Sequence, residues 1–300
     1  MQCLWPRDPG RVLDFKNKTL ARFVKASWFD CVGSMKRKET ETSAKGETKK
    51  QKGIPAREKT NFVFTEENFR KPNFPPGLKV LDVPLVVATD ETLKGFGKII
   101  SSANELTVEK NNFEIVKWPV SGWRKLDPGT GDEAGTTEGE FLVHWQGDFF
   151  HGKNLAVATT NNVYLDGLGA MPEKASRRDE EAANTGNIFL WMSDYHPDGG
   201  QLFYPFVPVP FVVCLGPASC GDDVTPQDMR AFYVPKGKGV YFHPGTWHNG
   251  VYIERKYSPA RFLTRQGRVH GRISCSWATE FKTMLRVPLK NPEGEGLQEK

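Results

Sequence analysis

Three hundred residues allow one large core or two modest ones, and 21 prolines, 29 glycines and 12 % aromatic residues favour a turn-rich, strand-based chain over a helical one. The net charge of +5 is uneven: residues 1–60 hold fifteen Lys/Arg against seven acids, which leaves −3 on the remaining 240 and argues against a nucleic-acid surface on the core. Five cysteines without CxxC spacing support neither a disulfide framework nor a structural zinc knuckle, and no run approaches the roughly 18 apolar residues of a membrane span.

Residues 1–60 read as a disordered basic extension. Phe15, Leu20, Phe23, Val24 and Trp28 give a weak amphipathic pattern of the mitochondrial-presequence kind. From 36 to 60 the only large apolar residue is Ile54, so burial there does not offset ordering entropy. The basic clusters 36–38 and 49–52 fit a nuclear-import signal, although a solvated linker is the favoured reading. A cytoplasmic protein is expected, with mitochondrion and nucleus as the alternatives that the tail suggests.

The folded domain is expected over 61–290, with a flexible tail at 291–300. A strand at 83–87 leads to a helix start at Thr89-Asp90-Glu91-Thr92, in which Thr89 is the N-cap, and then to a strand at 98–100. A strand at 113–119, a glycine- and acid-rich loop at 121–139, and strands at 140–146 and 154–159 follow. Residues 173–181 read as an exposed helix or loop. Beyond 187, apolar runs separated by Gly, Pro and Asp predict strands at 188–193, 201–206, 211–215, 229–234, 239–242, 250–253, 258–263 and 273–279. Many short strands with turn signals indicate an all-β barrel or sandwich.

Two segments carry the chemistry. In Asp194-Tyr195-His196-Pro197-Asp198-Gly199-Gly200-Gln201, Asp194 and His196 are two apart and share a strand face. In Gly239-Val240-Tyr241-Phe242-His243-Pro244-Gly245-Thr246-Trp247-His248, a Pro-Gly turn delivers Trp247 and His248. Asp194, His196, Gln201 and His248 are therefore expected to converge inside a barrel and hold one divalent metal ion. Asp194 equally suits a turn cap, and Gln201 a hydrogen bond to substrate. His243 is the expected acid/base, Tyr241 shares its face, and Arg230 could make a bidentate fork to a carboxylate. His144 and His270 have no motif around them.

This layout resembles the two-motif pattern of the cupin superfamily, with Asp194 and Gln201 in place of its usual His and Glu. Within that superfamily it is similar to the ureidoglycolate lyase family. The resemblance rests on His196-Pro-x-Gly-x-Gln201, Arg230-Ala-Phe, and Gly239-Val240-x-x-His243-x-x-Trp247-His248, and is densest over 194–253. It implies a cupin-like or jelly-roll β-barrel, a homodimer, and cleavage of ureidoglycolate, a small ureido acid, to glyoxylate and urea in allantoin catabolism. It also implies nickel or a similar ion. The chain departs from the family's Trp-His-His at Asn249. The alternatives are a non-haem Fe(II) oxygenase, for which His196, His248 and Asp194 would form the two-histidine, one-carboxylate set, and a non-catalytic binder of small acids.

Overall fold

The computed structural model describes residues 71–105, 122–131, 137–157, 163–178, 186–267 and 269–294. The basic extension 1–60 and the strand expected at 113–119 lie outside the described residues. In chain order the strands are β1 (Lys79–Asp82), β2 (Leu85–Val87), β3 (Gly97–Ile100), β4 (Thr137–Gln146), β5 (Phe149–Asn154), β6 (Val163–Leu168), β7 (Asn187–Leu190) and β8 (Met192–Tyr195). They continue with β9 (Gln201–Pro205), β10 (Phe211–Leu215), β11 (Arg230–Val234), β12 (Gly239–Phe242), β13 (Ala260–Gln266) and β14 (Ile273–Ser276). A short helix α1 (Trp277–Phe281) and β15 (Thr283–Pro288) close the described fold.

The largest sheet runs β1-β15-β7-β6-β5-β4-β13-β9-β12-β3, a smaller one β10-β11-β2, and β14 pairs with β8. The pairings are antiparallel apart from β1 with β15 and β2 with β11. The fold is therefore all-β and jelly-roll-like. Among the described residues no helix is long and apolar enough to cross a membrane.

Apolar residues on the facing sides of the two larger sheets meet in one core. Across the sheets, Phe211 of β10 packs edge-on against Phe262 of β13 with ring centroids 5.0 Å apart, and within the larger sheet Phe141 of β4 meets Phe203 of β9 at 5.3 Å. All four rings are buried. Fully burying such a ring contributes about 1.5–3 kcal/mol, so inter-sheet packing holds the layers together.

Local chemistry explains several departures from the sequence reading. At 89–97 the Thr89 hydroxyl does accept the Thr92 N–H at 3.1 Å, but Gly95 at φ +87° leads the chain out after hydrogen-bonded turns. Asn154 ends a strand instead of opening one, because Gly147 and Asp148 form a tight hairpin between β4 and β5. Residues 250–253 make one bridge, Tyr252 to Val212, and no strand. The strand expected over 273–279 stops at Ser276, whose hydroxyl caps α1 by accepting the Thr279 N–H at 3.1 Å.

One glycine fixes how closely β12 lies on β9. A Cβ on Gly239 would come within 2.6 Å of the Phe203 carbonyl oxygen, a backbone atom that cannot swing aside. Gly239→Ala is expected to destabilise the protein by about 1–3 kcal/mol, the usual cost of overpacking, read as a lower denaturation midpoint at unchanged slope.

Candidate active site

The two motifs meet at the barrel interior through backbone pairing. The Thr246 N–H donates to the His243 carbonyl at 3.1 Å, and Gly245 at φ +76° supplies the positive φ that a Pro-Gly turn requires. Trp247 then anchors the chain: it is fully buried and its indole N–H donates to the Gly221 carbonyl at 2.8 Å. The next residue, His248, exchanges two backbone hydrogen bonds with Asp194, at 2.7 and 2.8 Å. The Pro-Gly turn and β8 are thereby locked opposite each other.

Three side-chain atoms converge there. Nε2 of His196 lies 3.0 Å from Oε1 of Gln201, and Nε2 of His248 lies 2.8 Å from the same oxygen. The other ring nitrogens are committed. His196 Nδ1 lies 3.0 Å from the Gly271 carbonyl and His248 Nδ1 2.7 Å from that of Thr246. A carbonyl only accepts, so each Nδ1 carries a proton, and an Nε2 without a second proton presents its lone pair to an oxygen that also presents lone pairs. Burial, with His196 as a further cause, lowers the His248 pKa to about 3, so this ring is neutral and a second proton does not relieve the conflict. A cation between the three atoms would relieve it, and Nδ1–H donated to a carbonyl is how ligating histidines are usually oriented. A turned Gln201 amide, giving one N–H to each ring, is the metal-free resolution. Two imidazoles and an amide oxygen fit a borderline divalent ion.

Asp194 stands apart from this convergence. Its carboxylate faces the Arg272 guanidinium at 3.7 Å, and burial raises its pKa against the pull of His196 and Arg272. Among the described residues no three His, Cys, Asp or Glu side chains are grouped as a metal would require. The two-histidine, one-carboxylate arrangement is not assembled.

An amide relay extends from the converging atoms. Gln201 Nε2 donates to Gln266 Oε1 at 2.9 Å, and Gln266 Nε2 meets His270 Nδ1 at 2.6 Å. An amide nitrogen only donates, so His270 Nδ1 accepts and its proton sits on Nε2. The His270 ring lies 4.9 Å from that of His196, centroid to centroid, and burial lowers its pKa well below the ordinary value. Its backbone is in the left-handed region at φ +44°, held there by Asp198. The Asp198 carboxylate accepts the N–H groups of Val269, His270 and Gly271 at 2.8, 3.2 and 3.0 Å.

His196, His248, Gln201, Gln266 and His270 line a cavity of about 50 Å³ together with Asn154, Tyr164, Asp166 and Asn249. That is room for several waters or a small polar ligand. Burial, with Asp194 as a further cause, raises Asp166 to about pKa 7. Arg272 donates to Asp127 at 2.7 Å; burial opposes its charge, but Asp127 and Asp194 outweigh it and hold the guanidinium above its ordinary pKa. A larger surface hollow lies between residues 74–78 and 171–173, but Glu173 is its only ionisable lining residue, so the chemistry belongs to the inner cavity.

The cavity unites Asp194, His196, Gln201 and His248 and leaves Arg230, Tyr241 and His243 outside its lining. Register gives the reason. Phe242 pairs with Gln201 and Val240 with Phe203, so those residues share the cavity face. Tyr241 pairs with Leu202 and points the other way, packing with Leu202 and Ile100, while His243 lies 5.6 Å from its ring. Arg230 is exposed at the start of β11 and donates to the carbonyls of Gln227 and Met229. Asp166, His270 and Arg272 are among the lining residues that the motifs did not announce.

Residues 154–271 match the family model of ureidoglycolate lyase. That segment holds every cavity residue named above except Arg272, one position beyond it. The ureidoglycolate lyase of Stutzerimonas stutzeri is 36 % identical over 80 residues, covering 27 % of this chain and 46 % of that protein. The ureidoglycolate lyase of Pseudomonas aeruginosa is 36 % identical over 102 residues, covering 33 % and 57 %. That of Pseudomonas syringae pv. tomato is 33 % identical over 80 residues, covering 27 % and 46 %. The chain spans about half the length of the curated relatives it matches. The ureidoglycolate-lyase match begins at Asn154, so β1 to β4 lie outside it.

Proposed function

We propose that the chain is a metal-assisted carbon–nitrogen lyase that splits ureidoglycolate, or a close ureido acid, into glyoxylate and urea. The observation that carries this reading is the meeting of His196 Nε2, His248 Nε2 and Gln201 Oε1 in a small cavity within the segment that matches the lyase family. These three residues would hold the ion, nickel or one like it, and the ion would supply Lewis-acid polarisation of the substrate oxygens.

The remaining chemistry falls to side chains of the cavity wall. The substrate hydroxyl loses its proton to the Asp194 carboxylate, and the O–H electron pair becomes the second bond of the new carbonyl. The carbon–nitrogen bond breaks, and its electron pair stays on the leaving urea nitrogen. Asp194, which now carries the substrate's proton, returns it to that nitrogen, and His270, whose proton the amide relay places on Nε2, hydrogen-bonds to the leaving urea as a neutral donor. Proton loss and gain balance, so no oxidant is needed. Arg272 presents positive charge for the substrate carboxylate. Arg230, Tyr241 and His243 take no part in this scheme because they lie outside the lining.

The test is an assay of nickel-reconstituted protein with ureidoglycolate, in air and under argon, with glyoxylate and urea both quantified. Equal release of the two products in both atmospheres is expected. Release only in air, with oxygen consumed, would replace the lyase by an oxygenase.

A further inference from the structure

Asp166, on β6, is a carboxylate of the cavity that the scheme above does not use. Its residue is 9 % exposed, and its Oδ2 has no hydrogen-bond partner among the described residues. The carboxylate is tucked against bare backbone: a Cβ on Gly152 would come within 2.0 Å of Oδ2, and one on Gly250 within 3.3 Å. A buried acceptor left unpaired is costly, and such groups in native proteins call for an explanation. Two neighbouring donor groups are engaged elsewhere. Arg272 Nε serves Asp127 at 2.7 Å, and the Asn154 amide reaches Gln266 at 3.4 Å. Protonated or ionised, Asp166 presents an acceptor oxygen to the cavity.

We propose that Asp166 is the specificity-determining residue for the ureido end of the substrate, accepting hydrogen bonds from its N–H groups. This rests on the ureido-acid reading above. A ureido group brings N–H donors on both nitrogens, whereas a hydroxy acid of the same size brings only its single O–H and a keto acid no donor at all. A cavity whose orphan is an acceptor therefore selects for the nitrogenous half of the molecule, and a ligand without the donors leaves that acceptor buried and unpaired.

The test uses two unreactive ligands of the same outline on the nickel-reconstituted full chain. Ureidoacetate keeps the ureido group and the carboxylate but lacks the hydroxyl. Acetoxyacetate replaces its nitrogens by a methyl group and an oxygen. Calorimetric titration is expected to show ureidoacetate bound about 10–100-fold more tightly by the wild type, the range of a hydrogen bond to a charged group. Asp166→Leu is expected to bring the two ligands within about threefold. Asp166→Asn, which keeps shape and one acceptor but loses charge, should fall between. The melting temperature of the ligand-free Asp166→Leu protein should equal or exceed that of the wild type, because an unpaired buried acceptor has been removed. A wild-type preference that persists in Asp166→Leu and Asp166→Asn would overturn the assignment to Asp166 and leave the ureido-acid reading standing. A lowered melting temperature with the preference intact would mark Asp166 as structural. Wild-type protein that binds neither acid, or both equally, would remove the ureido-acid reading and this proposal with it.

Discussion

His196→Ala and His248→Ala are each expected to lower kcat/KM for ureidoglycolate by on the order of 10³-fold, the equivalent of several kcal/mol of lost Lewis-acid stabilisation. The effect should appear in kcat as well as KM, because polarisation of the substrate oxygens grows toward the transition state. Nickel content should fall in parallel, since each variant removes one of only three converging donor atoms. The same substitution at His243 separates this site from the rest of its sequence motif. His243 is half-buried outside the cavity, and His243→Ala should keep bound nickel and most of the activity. Loss of both in His243→Ala, with His248→Ala active, would reverse the assignment.

Asp198→Ala is expected to be the most damaging change that touches neither ion nor substrate. Its carboxylate satisfies three backbone N–H groups of the segment 269–271. Leaving those donors unpaired costs at least about 3 kcal/mol in total. For a folded region of this size that corresponds to a melting temperature roughly 6–12 °C lower. The damage should also reach the metal. Gly271 supplies the carbonyl that orients His196, and loss of such a partner usually weakens metal affinity by about 10–100-fold. Asp198→Asn keeps an acceptor oxygen and should recover part of both losses. An Asp198→Ala protein with wild-type melting temperature and nickel affinity would show that the segment 269–271 needs no clamp.

His196, Gln201 and His248 were legible because local chemistry puts them in place. Each stands beside a Pro or Gly turn that ends or begins a strand, and the two segments have the spacing of a two-strand site. The all-β class was legible for the same reason, since turn residues delimit short apolar runs after residue 187. Tyr241 and His243 show where local reading stops. Period-two alternation groups Tyr241 with the residue two positions on, but β12 ends at Phe242, and only the pairing of Phe242 with Gln201 decides which face of the strand looks inward. Asp166 and His270 were hidden by long-range geometry. Asp166 sits in the β6 sequence Val-Tyr-Leu-Asp-Gly-Leu, where Asp and Gly argue against a buried strand. His270 reaches the cavity only because Asp198, 72 residues earlier, holds its backbone N–H. The helix α1 was missed because Ser276 acts as a cap only after β14 has placed it.

The most direct measurement is a calorimetric titration of nickel into the metal-stripped full chain and its Gln201→Leu variant, with stoichiometry confirmed by elemental analysis. One equivalent bound by the wild type, with binding lost or severely weakened in the variant, is the result predicted by two imidazoles and an amide oxygen meeting on an ion. A wild-type protein that binds no nickel or other divalent ion, while remaining folded, would contradict it and leave Gln201 as an amide turned to donate one N–H to each histidine.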